Sequence, residues 1–548
     1  MKLSKLFALA TLVALFCWYL ISAQESSQHP HHHDATEKIG QVNFPISCSQ
    51  GAQKQFNRAA ALLHSFWYEE AERAFTEVTT IDPGCAMAYW GIAMSNYRQL
   101  WASPNPADLK KGSAAVEKAK ATGAKTERER DYIAAIEAFY KDSERLDHRA
   151  RAGAYEKAME QVYRRYPQDR EAAIFYALSL LGTALPTDKS YANQKQAAEI
   201  LNRVLPAEPQ HPGVAHYIIH SFDYPQLAKL ALPAARSYAK IAPSSPHALH
   251  MPTHIFTRLG LWQESILSNI ASAAAAKDHV ARTHPGAASF EQLHAMDYLE
   301  YAYLQSAQDL KAKALFDELS QIDKLDEENS TAAYAFAAIP ARYALERRHW
   351  AEAARLALHP DAFPWEQFPY TEAIIYFARA MGAARSGDTS AARKDIEKLA
   401  AIQQALTRAK DVYWADQVEI QRRGAAAWLA LAGGDRDKAL EMMRAAAELE
   451  DSTEKHPVTP GVIIPARELL GDLLIELNQP DQALREFETS LRNAPNRFNG
   501  LYGAARAAAA SNDRKKAAQY YARLVKLCER ADGVRPELEQ AKRFLARK

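Results

Sequence analysis

No excess of charge marks a partner for this chain. Lys and Arg number 67 against 66 Asp and Glu, a net charge of +1, so neither nucleic acid nor an anionic membrane surface has an electrostatic case. Strand-like alternation is nearly absent, which excludes a sheet-built core. The common reaction motifs are missing as well: there is no HExxH zincin helix, no GxSxG elbow and no CxxCH haem attachment. ATGAKT around Lys125 lacks the GxxxxGK[ST] spacing of a phosphate loop and follows no strand, so there is no nucleotide or haem signal. Cysteine is sparse, at four in 548 residues. No reaction can be read from the sequence.

The first residues carry Lys2 and Lys5, an apolar run from Leu6 to Leu20, and Ser22-Ala23 before Gln24. This is the plan of a secretory signal over residues 1–23, and it predicts a periplasmic or secreted protein. An uncleaved anchor through residues 6–23 is the alternative and the one route to a membrane. A lipoprotein site at Cys17 is disfavoured by the bulk of Phe16. Residues 24–50 read as a tail and lead-in, with 24–40 polar and without periodicity, hence disordered. His29, His31, His32, His33 and Asp34 there could scavenge a metal loosely or stay solvated.

What the chain has in quantity is helical periodicity. Alanine-rich segments with apolar residues at i, i+3 and i+4 recur throughout, predicting an all-α fold. Near the C-terminus Leu470, Gly471, Ala483, Phe487 and Pro495 form a pattern that returns 34 residues later as Ala517 and Tyr521. Near the start, Ala71, Phe75 and Pro83 stand at the same relative offsets. Weaker small-then-large pairs follow at Ala312/Phe316, Ala353/Ala357, Ala392/Ile396 and Ala439/Met443. This pattern resembles the tetratricopeptide repeat (TPR) superfamily. The resemblance implies a right-handed superhelix of antiparallel helix pairs over about 51–545, split as 51–330 and 331–548, with loop insertions near 100–130, 184–194 and 276–290. It also implies a protein or peptide partner in the groove, although fold does not fix function. The segment HALHMPTHIFTRLGLW resembles one in a branch of secreted bacterial TPR proteins without an assigned activity. Cys48 before the first repeat and Cys85 opening the second would lie at like ends of stacked repeats, so they could form a disulfide or remain buried thiols, with Cys528 left free.

The concentrated chemistry is histidine. Nine of the eighteen lie between His211 and His294, where an even spread would put about three. His216 and His250, and likewise His220 and His254, are 34 residues apart. The i, i+3 and i+4 spacings put His216 with His220, His247 with His250 and His254, and His294 with Asp297 on single helix faces. The TPR register implies that these faces line the concave groove, with Asp223 and Tyr301 as neighbours or alternative ligands. Imidazoles and carboxylates so placed suit zinc, copper, nickel or iron. Pro252 disfavours helix at Met251 and could release His247 and His250 into a loop. Three functions fit: an exported interaction protein with a metal-binding histidine groove, a metal-dependent enzyme with Asp223 or Asp297 as base, and a plain scaffold whose histidines hydrogen-bond to hold the superhelix.

Overall fold

The computed structural model describes residues 37–98, 100 and 103–547. The expected signal segment, the anchor alternative and the His29–Asp34 tract lie outside the described residues. From Ile39 onward the chain forms one compact unit of antiparallel helix hairpins from Gln50–His64 to Pro536–Ala546. Among the described residues there is no strand, and no helix is long and apolar enough to cross a membrane.

A repeated turn builds the hairpins. Residues Phe66, Gly260, Ala307, Arg348, Gly387, Gly434, Asn478 and Asn512 all have positive φ, and each stands two residues before the second helix of its pair. The left-handed residue reverses the chain, and where Asp388, Asp435 or Asp513 follows, its side chain accepts a backbone N–H and caps the next helix. Between repeats the contact is a ring set into a glycine. A Cβ at Gly503 would stand 2.2 Å from the Phe487 ring, one at Gly471 2.7 Å from it, and one at Gly91 2.3 Å from Phe75. At Phe75 and Phe487 the recurrence is therefore a packing rule: the aromatic of the second helix needs a side-chain-free backbone opposite. The fold is an all-α solenoid of antiparallel helix hairpins, as the repeat pattern predicts.

Several local expectations are corrected. The chain is packed, not loose, from Ile39: Ile39, Val42 and Phe44 are buried, Gln41 N–H donates to Gln210 O, and the Phe44 ring lies 5.1 to 5.4 Å from Phe56, Trp90 and Tyr132. Those apolar residues outweigh the polar tract before them. The 100–130 insertion contains the helix Pro106–Thr122, capped by Asn105 and burying Ala115, Val116 and Ala119. The 276–290 insertion is largely an extension of the helix Trp262–Thr283. At Ala353/Ala357 the second helix shrinks to Trp350–Ala353, because the following helix crosses at Gly382, where a Cβ would stand 2.4 Å from Trp350 O. The 330/331 boundary falls at the start of the helix Ser330–Glu346. Cys48 and Cys85 are joined in a disulfide, and Cys528 is a buried free thiol.

Candidate metal centre

Three consecutive first helices carry the histidines. Pro212–Phe222 places His216 and His220 one turn apart, and Phe290–Gln305 brings His294. Between them, Pro246–His250 and Pro252–Arg258 act as one helix with a break. Met251 stays helical at φ −52°, ψ −35°, and His254 N–H donates to Met251 O at 3.2 Å. Pro252 begins the second segment, where its missing N–H is not needed, so His247 and His250 remain on the helix.

The imidazoles gather into two trios, His216/His220/His247 and His250/His254/His294. In the first, His220 Nε2 and His247 Nε2 stand 2.9 and 3.2 Å from His216 Nε2. His216 Nδ1 donates to the carbonyl of His64 at 2.8 Å, which leaves a lone pair on its Nε2, and the two other rings point at it. In the second, His254 Nδ1 donates to Asp223 at 3.0 Å and His250 Nδ1 donates to Asn269 Oδ1 at 2.8 Å. The Asn269 orientation is set by its amide, which donates to Ser265 O. Both Nε2 atoms are therefore acceptors, and they face each other at 3.2 Å. The 34-residue offset does put His220 near His254, with ring centroids 6.2 Å apart. The ring that His216 meets across the repeats is His247, however, rather than His250, because the broken helix shifts the register.

Burial, followed by the neighbouring imidazoles, pushes the His216, His220, His247, His250 and His294 pKa values well below the ordinary range. Burial also lowers His254, against the pull of Asp223. The rings are thus held neutral, the form that binds metal. Burial would raise Asp223, but Lys455, Arg258 and His254 together hold it well below the usual carboxylate range. Burial pushes Lys455 down to about 8.

Asp297 and Tyr301 are not brought into the cluster. Asp297 pairs with the buried Arg342, burial raising it to about 6, and the Tyr301 hydroxyl accepts from Arg497. With Asp223 clasped by His254, Arg258 and Lys455, neither carboxylate is placed as a free base. Tyr298 lies 4.7 to 5.4 Å from the rings of His250, His254 and His294. Two further features escape sequence reasoning. One is a buried His64/Glu171/His211 cluster, whose sole signal is the run of histidines starting at His211. The other is the segment 453–459, which reaches the histidines from the C-terminal half: Lys455 Nζ donates to Asp223 at 3.2 Å and His456 packs 5.0 Å from Trp414. Beside it lies a cavity of about 480 Å³ lined by His247, His250, His254 and His294. His247 and His294 keep a partly exposed edge.

No family model and no curated protein matches the chain. Among solved structures, yeast Tom70 is similar at 11% identity and a TM-score of 0.34, covering 91% of this chain and 95% of that one. Human IFIT1, solved as a dimer with m7Gppp-AAAA, gives 12% identity, a TM-score of 0.39 and coverage of 81% and 90%. Cut9 in its complex with Hcn1 gives 12%, 0.26 and coverage of 91% and 96%. These superpositions are loose, and the solenoid assignment stands on the repeated turn and the ring-into-glycine packing of the chain itself.

Proposed function

We propose that this chain is an exported TPR-type interaction protein whose histidine groove binds a transition metal. The observation that carries the reading is the His250 and His254 pair, two acceptor nitrogens 3.2 Å apart whose protons are committed to Asn269 and Asp223. Two lone pairs at that distance repel without a cation between them. Nitrogens about 2.05 Å from one ion stand roughly 2.9 Å apart at a right angle and roughly 3.3 Å apart at the tetrahedral angle, which brackets the 2.9 and 3.2 Å separations of His220 and His247 from His216 and the 3.2 Å between His250 and His254. The Asp223 and Asn269 bonds supply the outer support by which metal-binding imidazoles are usually oriented. Zinc, copper, nickel and iron all accept such donors. Export is supported by the Cys48–Cys85 disulfide, and partner binding concerns the rest of the array, since segment 453–459 already packs against the histidines. The test is elemental analysis of the full chain with His29, His31, His32 and His33 changed to serine, beside the same chain carrying His254→Ala. Bound transition metal that falls in the variant at unchanged helix content is the expected result; a metal-free parent that takes up none on addition of zinc or copper sinks the reading.

A further inference from the structure

The two trios are closer to one cluster than to two separate sites. Ring centroids of His220 and His254 are 6.2 Å apart and those of His247 and His250 6.5 Å, while His254 and His294, within one trio, are 6.3 Å apart. The donor set is also neutral throughout. Among the described residues, the carboxylate bonded to these imidazoles is that of Asp223, and Arg258 and Lys455 both pair with it. Cations held by imidazoles here would leave a buried positive charge that Asp223, already paired with Arg258 and Lys455, does not balance, and such a charge is costly without a counter-ion. The cavity of about 480 Å³ gives a small anion access to it: it is lined by His247 of the first trio and by all three rings of the second, with Asp108, Glu291, Glu327 and Glu328 also on its wall.

Resting on the metal reading above, we infer that the six imidazoles hold two metal ions side by side and that the pair takes one small anion from the cavity, shared between the ions. Three imidazoles serve each ion and leave a position open toward the cavity for the shared ligand, in the way a metal centre with few protein ligands keeps a site for a small molecule. His247 and His294, the partly exposed members, flank that position. Tyr298 lies against the second trio with its hydroxyl donating to Thr459 O at 2.8 Å.

The experiment is a cobalt(II) titration of the metal-stripped full chain, with the four tail histidines changed to serine, followed by azide and read by visible absorption and elemental analysis. Two cobalt ions per chain and a spectral change complete at one azide per two cobalt are expected. The double variant His216→Ala/His220→Ala should keep one cobalt, lose the other and lose the one-per-pair azide response, with circular dichroism confirming its helix content. One cobalt per chain in the parent overturns the inference and leaves the single-metal reading standing. Two ions that ignore azide, or that each take one, overturn the shared anion. No cobalt overturns both readings, and the parent stoichiometry decides even if the variant fails to fold.

Discussion

Two groups of buried histidines lie side by side in this molecule, and hydrogen bonding treats them in opposite ways. In the first, Glu171 stands between two imidazoles: His64 Nε2 donates to one carboxylate oxygen at 3.0 Å and His211 Nε2 to the other at 2.9 Å, while His64 Nδ1 accepts from the Tyr217 hydroxyl at 2.9 Å. Room for the His64 ring comes from Gly213, where a Cβ would stand 2.6 Å from Nδ1. His211 Nδ1 is the one atom of the group left without a partner. In the second group six imidazoles converge; His216, His250 and His254 each direct an Nδ1 proton outward, to His64 O, Asn269 and Asp223, so that the Nε2 acceptors of His250 and His254 face one another. Proximity of histidines is common to both; on the proposed reading, what would separate structural imidazoles from metal-binding ones is where the protons are held.

The largest expected effect breaks the first group. Glu171→Ala removes the acceptor shared by His64 and His211 deep in the core, which costs about 3 to 5 kcal/mol. Urea unfolding should show this loss with metal content unchanged. His250→Ala is expected to do the reverse, abolishing metal uptake in its own trio while costing the metal-free chain less than about 2 kcal/mol, since it relieves a lone-pair clash. Equal losses of stability and metal in both variants would remove the distinction. As a control remote from the trios, Cys48→Ser should cost about 3 to 4 kcal/mol for the 37-residue separation by loop closure, again with metal retained.

Acid should separate the trio imidazoles from Glu171 by pH window, while His64, lowered by burial, titrates with the trios. Each trio imidazole has a lowered pKa, so the unfolded chain takes up the proton first. Stability of the metal-free protein is therefore complete above pH about 6.5 and falls below it by about 1.4 kcal/mol per pH unit for each ring that stays neutral. Glu171 is the opposite type of group: burial would raise its carboxyl, but His211 and His64 hold it well below the usual range. Its contribution is present above about pH 4.3 and is lost as pH falls further. Replacing His250 and His254 should flatten the slope just below pH 6.5 and leave the lower window alone, as unfolding free energies at stepped pH would show. A change in the frame is a further test: Gly503→Ala should cost about 1 to 3 kcal/mol by pushing into Phe487.

The hairpins were legible because their cause is local and repeated. Gly471 packs on Phe487 as Gly91 packs on Phe75, so small and aromatic residues return at matching offsets. The trio members were legible for the same reason, since one helical turn sets the His216–His220 and His250–His254 spacing. Asp297 shows where spacing misleads. It is three residues from His294, but the helix Phe290–Gln305 is buried on nearly every side, and a basic partner 45 residues on, Arg342, takes the carboxylate. The shift from His250 to His247 as the neighbour of His216 comes from the break at Pro252, whose effect on direction a repeat period does not carry. Glu171, Lys455 and His456 could not have been found, because each comes from a distant segment and has no recurring neighbour to mark it.

The central claim is that metal sits in the two trios and not at Glu171, and anomalous diffraction from metal-loaded crystals tests it most directly. Density peaks where the Nε2 atoms of His216, His220 and His247 converge, and again among His250, His254 and His294, with none between His64 and His211, are the expected result. A peak at Glu171, or empty trios in crystals grown with saturating zinc or copper, would contradict it.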